Sequence, residues 1–226
     1  RFIKNLRYNS LFNSLKQLNN RRYSQRGNLI PLKERVIAWP RMGNIGLALE
    51  ALVSSLGAKI VVPSENSNKM LELGVKNSME GICLPYKLNL ANYIDALEKG
   101  ANTLMMFQAP GTCRFGNYTT IAQRTLKKMG YKFDMIVFDM YQSKMLQTIE
   151  AFLYAAGCVS PYKYYKGFSM GFNKAFAVDT SERLLFYTRP REINKGESEY
   201  YYKKWYKIIS DTNTIDGCRN LKQQII

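Results

Sequence analysis

The sequence predicts an α/β fold, an open parallel Rossmann-like sheet flanked by helices, followed by a mostly helical C-terminal segment. Three observations carry this reading. Between residues 35 and 141 short apolar runs alternate with amphipathic helical stretches, the pattern of a parallel sheet covered by helices. Gly57, Gly100 and Gly130 stand where successive helices should end. Beyond about residue 142 the strand signals fade and helical patterns remain.

The elements follow in order. Residues 35–40 form a buried-strand candidate ended by Pro40, and Met42, Gly43 and Asn44 form the turn after it. Asn44 is placed to cap a helix carrying Leu47, Leu49, Ala51, Leu52 and Leu56. A second strand is expected at 59–63 and a helix at 67–79, with Ser67 as its cap. A third helix is expected at 89–99, a strand at 103–108, a helix at 117–129 and a strand at 133–140. The C-terminal segment predicts helices at 142–156, 167–188 and 196–211, and is rich in tyrosine.

With 226 residues the chain is long enough to bury a core. No run approaches the roughly 18 apolar residues of a membrane span, so a soluble protein without a membrane partner is expected. Against 17 acidic residues stand 33 Lys and Arg, a net charge of +16. Such an excess favours an anionic partner, whether nucleic acid, an acidic membrane surface, an acidic protein or a phosphate-bearing cofactor. Lysine-heavy coding explains it equally well. The first 35 residues hold nine bases against Glu34 alone. Within them Ile3, Leu6, Phe12, Leu15 and Leu18 fall near helical spacing. Residues 1–34 thus read as a basic amphipathic helix and linker, either a transit-like segment or a helix docking on a neighbour. Nucleic-acid binding through these residues is motivated by charge alone, without a recognition motif, and is not the expected partnership.

The chain has no histidine, which excludes Ser-His and Cys-His nucleophile pairs and His-ligated zinc. Four cysteines stand at 83, 113, 158 and 218. No secretory signal accompanies them, so a reducing, cytoplasmic setting is expected, with cysteines as core residues or metal ligands. Cys113 lies between a strand and a helix, at the sheet edge where sites form in open parallel sheets. A helix start and the adjacent Arg114 both favour thiolate there. Gly111 and Gly116 let the backbone pass close to a bulky group. The spacing of Cys83 and Cys113 is no metal motif by itself, and each reads equally as a small core residue.

The surrounding residues add a family resemblance. Pro40-Arg41-Met42-Gly43-Asn44, Leu71-Glu72-Leu73-Gly74-Val75-Lys76 and Cys83-Leu84-Pro85-Tyr86-Lys87 carry it first. Ala96-Leu97-Glu98-Lys99-Gly100-Ala101, Gly111-Thr112-Cys113-Arg114-Phe115-Gly116-Asn117-Tyr118 and the segment Arg189-Pro190-Arg191-Glu192-Ile193-Asn194-Lys195-Gly196-Glu197 extend it. In these stretches the chain resembles the N-terminal half of the 2-hydroxyacyl-CoA dehydratase family, including its activator-related members.

The resemblance implies a 4Fe-4S cluster with Cys83 and Cys113 as two of its three thiolate ligands, and Arg114 and Gly116 beside it. It also implies residues 35–141 as the cluster-binding domain, and 142–226 as a helical segment leading to a second half, absent here, that holds the third cysteine. Cys158 and Cys218 are not expected to replace that ligand. Arg189, Arg191 and Lys195 are candidates for meeting an acyl-CoA phosphate or a partner subunit, or for capping the helix near Gly196. The implied function is an anaerobic lyase activity, in which an ATP-dependent iron–sulfur activator supplies one electron for radical dehydration of a 2-hydroxyacyl-CoA. A non-catalytic electron carrier or accessory subunit of the same family is the alternative.

Overall fold

The computed structural model describes residues 30, 34–109, 111–139 and 161–225. The expected basic helix at 1–18, the helix at 142–156 and Cys158 lie outside the described residues. In chain order the elements are β1 (Val36–Ala38), α1 (Ile45–Ser55), β2 (Lys59–Ile60), α2 (Asn68–Lys76), α3 (Leu84–Glu98) and β3 (Thr103–Gln108). A 3₁₀ turn (Arg114–Asn117), α4 (Tyr118–Lys128) and β4 (Asp134–Asp139) follow. Then come α5 (Pro161–Thr188), a second 3₁₀ turn (Arg189–Arg191), α6 (Glu197–Asp211) and α7 (Ile215–Ile225). Packing divides the chain into two compact units, with Met42–Gly57 grouped with the C-terminal helices rather than with the sheet.

In the α/β unit the described strands form a parallel sheet in the order β2-β1-β3-β4. β3 is its centre. Its first four residues, Thr103 to Met106, are buried, the near-continuous burial of a strand covered on both faces. Leu90 and Ile94 of α3, Leu126 of α4, and Ile136 and Phe138 of β4 complete the core. The buried Tyr93 hydroxyl donates to Met105 O at 3.2 Å and ties α3 to the central strand.

The departures from the expected elements have local causes. β2 stops at Ile60, three residues early. Val61 still donates to Ile37 O, but Pro63 has no N–H to continue the ladder. α3 begins at Leu84, not at 89, because Pro85 sits in the first turn, where a missing N–H is tolerated. Ser67 caps α2 as expected, accepting from Met70 N. Asn44 occupies the N-cap position of α1, but its side chain makes no cap bond and donates to Glu182 and Tyr202.

In the helical unit α5 is 28 residues long and starts at Pro161 rather than at 167. Gly167 and Gly171 therefore lie inside it and face α1. A β-carbon on Gly171 would stand 2.9 Å from Ala48 O, and one on Gly167 3.1 Å from Leu52 and Ser55. Met170, Ala177, Ile209, Cys218 and Leu221 build the core around this crossing. Lys174 is 3% exposed and donates to Ser210 O near the end of α6, where a cation suits the helix dipole. Burial holds its pKa below the usual lysine range, with nearby Cys218, Glu50 and Asp211 acting the other way.

Candidate metal centre

Topology brings Cys83 and Cys113 to one edge of the sheet. α3 spans roughly 22 Å, about the length of the six-residue β3 at roughly 20 Å. α3 closes at Gly100, and β3 starts at Thr103. A helix that ends at the amino edge of β3 must begin near its carboxyl edge, and Cys83 is the residue before that beginning. Cys113 stands five residues beyond the end of β3. Both cysteines occupy N-cap positions with extended backbone, Cys83 before α3 and Cys113 before the 3₁₀ turn that runs into α4. β1 and β3, adjacent in the sheet, send their chains to opposite sides, the arrangement that opens a crevice in such folds.

Tyr118, the first residue of α4, joins the two segments. Its hydroxyl lies 2.6 Å from Cys83 Sγ. Its ring is held edge-on by Tyr86 at 5.2 Å and by Phe115 at 5.4 Å. Burial, the Cys83 hydrogen bond and the charges of Cys83 and Cys113 push its pKa up to about 12. At neutral pH the phenol keeps its proton and is able to donate to sulfur. Cys83 is half-buried, whereas Cys113 is exposed.

Backbone contacts fix the loops that carry the sulfurs. The Arg114 guanidinium donates through Nη1 to Gly81 O, linking the Cys113 turn to the Cys83 loop. Lys87 Nζ donates to Glu80 O in that loop. Gly116 N donates to Cys113 O. A β-carbon at Gly116 would lie 2.8 Å from Ala109 O, so a glycine suits this close return of the chain. At Gly74 the approach is closer: its β-carbon would stand 2.0 Å from Lys87 O, in the first turn of α3. Asn92, fully buried, accepts from Arg41 N and donates to Asn66 and Leu88, which holds the segment after β1 at the same edge.

The donor set is sulfur without nitrogen, since the chain has no histidine. Among the described residues no three Cys, His, Asp or Glu converge. Cys83 and Cys113 thus offer two sulfur positions at this edge. Cys218 is buried in the helical core, with Sγ 3.6 Å from Thr212 O. Burial raises its pKa, with Lys174 acting in the opposite direction.

The basic group expected to meet phosphate or a partner belongs to the helical unit. Arg189 pairs with Glu199 at 3.2 Å, and Arg191 Nη1 donates to Tyr187 O. Lys195 is exposed. Glu192, between them, accepts from Gly196 N and Ser198 N and caps α6.

Sequence reasoning passed over Tyr118 as a functional residue, although it stands in the Cys113 segment. Its signal was position: a bulky polar ring at a helix start, five residues beyond the cysteine. The role of Gly81 had no such signal, because it accepts through its backbone. Among the described residues no helix is long and apolar enough to cross a membrane. Comparison with protein-family models, curated proteins and solved structures finds no match for this chain.

Proposed function

We propose that this chain is an iron–sulfur protein of the 2-hydroxyacyl-CoA dehydratase class, with Cys83 and Cys113 as two thiolate ligands of a 4Fe-4S cluster. One observation supports it above the others: two cysteines from different segments stand at two helix starts and act on one buried tyrosine. A bound cluster supplies one-electron chemistry. Cys83 and Cys113 present the sulfurs, and Tyr118 holds Cys83 in orientation with a hydrogen bond. Arg114 locks one loop to the other, and Gly116 keeps the chain close behind Cys113. The remaining ligand, in this reading, comes from a second dehydratase subunit or from residues beyond those described. The reading places the protein in the cytoplasm beside an ATP-dependent iron–sulfur activator, with an acyl-CoA as substrate.

The presence of two converging thiols rather than three among the described residues favours a second reading, a cluster-binding or electron-carrying accessory subunit of the same family. Anaerobic reconstitution with iron and sulfide tests the shared core of both. The parent should take up iron and give a cluster EPR signal on reduction, and the Cys83→Ser, Cys113→Ser double variant should lose both. Equal iron in the two proteins overturns the assignment. Turnover of a CoA thioester by the purified chain with an activator would exclude the accessory reading.

A further inference from the structure

Away from the cysteines, the helical unit contains a cleft of about 460 Å³ between the later part of α5, the Arg189–Arg191 turn, α6 and the end of α7. That volume lies in the range of small-molecule sites. Its walls include the rings of Tyr187, Tyr201, Tyr202 and Trp205. The charged groups lining it are Glu192 and Glu197 against Arg191. This acidic bias runs against a chain of net charge +16. Arg191 is already engaged: its guanidinium carbon stands 4.2 Å over the centre of the Tyr187 ring. The Tyr187 face is therefore taken, which leaves the rings of Tyr201, Tyr202 and Trp205 for a ligand. The Glu192 carboxyl is held below the usual range by the amides of Gly196 and Ser198, so it is ionised at neutral pH.

We propose that the cleft binds an organic cation of the alkylammonium or quaternary ammonium class, with its charge against the aromatic faces and the two carboxylates. Ring faces attract such cations through the negative centre of the π-system. A quaternary ammonium has no N–H to satisfy, so its methyl groups suit the apolar walls made by Leu185 and Ile225. An anion would face two carboxylates against one arginine, whose guanidinium already lies over Tyr187.

The test titrates the full chain with choline and with 3,3-dimethylbutan-1-ol, its neutral isostere. Binding is followed by ligand-observed NMR and by the fluorescence of Trp205. Trp39, the other tryptophan, is buried in the α/β unit and serves as background. Choline should saturate, and the alcohol should bind at least about tenfold more weakly. Tyr201→Leu and Glu197→Gln, both at exposed positions, should each weaken choline about three- to tenfold with the circular dichroism unchanged. Absence of saturable choline binding, equal binding of the alcohol, or choline affinity unchanged in both variants would overturn the proposal.

Discussion

The two units solve the same problem, positioning side chains, by different means. In the α/β unit the parallel sheet does it. Every strand points its carboxyl end the same way, so segments far apart in sequence arrive at one edge, as Cys83 and Cys113 do. Among the described residues of the helical unit no ladder sets the register. Close helix approach sets it instead, at Gly167 and Gly171, and the buried Lys174 ties α5 to the end of α6. The first device leaves its site on loops whose backbone is bonded from several directions. The second leaves long helix faces, and α5 presents Phe168, Phe172 and Phe176 as an exposed ladder with rings 6.5 Å apart. A sheet collects residues at an edge, while packed helices enclose clefts along their sides.

The largest effect should come from breaking the sheet core. Phe138 is fully buried on β4 with its ring 5.2 Å from Phe107, and Phe138→Ala should cost about 3–5 kcal/mol. Denaturant unfolding measures it; a loss under about 1 kcal/mol would mean that the sheet core is not the main support of this unit.

Next comes close helix approach itself, compared between the two units. Gly74→Ala drives a methyl against Lys87 O, where the built β-carbon stands at 2.0 Å, and should destabilise by about 1–3 kcal/mol. Gly171→Ala also meets a backbone atom, Ala48 O, but at 2.9 Å, and should cost less because the overlap is smaller. Equal losses in the two variants would remove the contrast.

The smallest effect is electrostatic. The amides of Gly196 and Ser198 lower the pKa of Glu192 on folding. A carboxyl with a lowered folded pKa stabilises above its unfolded value of about 4.3 and loses that contribution as the pH falls through the folded one. Glu192→Gln should therefore be slightly less stable than the parent near neutrality. The two should converge as the pH drops below about 4. A gap that widens in acid would reverse the sign and remove the capping role.

Much of the α/β unit was legible in the residues. β3 matches the expected 103–108, and β4 falls within a residue of its expected ends, because a buried parallel strand is a short apolar run between turn signals. Gly57, Gly100 and Gly130 all adopt positive φ at the ends of helices. The start of α3 was less legible, since Pro85 reads as a break until its place in the first turn is known. The candidate site was half legible: both cysteines stood out by their flanks, but the tyrosine between them did not. The packing of α1 with the C-terminal helices was hidden. An apolar helix between two strands looks the same whichever partner it covers, and Gly167 read as a helix start rather than as a contact.

The sequence by itself determined the strand–helix alternation, the glycine stops and the placement of two cysteines beside helix starts. Each of these follows from local periodicity and backbone preference over a few residues. Tertiary structure alone decided the strand order, the partner of α1 and the meeting of Cys83 with Tyr118 across 35 positions of chain. Those outcomes depend on which apolar faces bury each other, a choice among distant segments that no local pattern encodes.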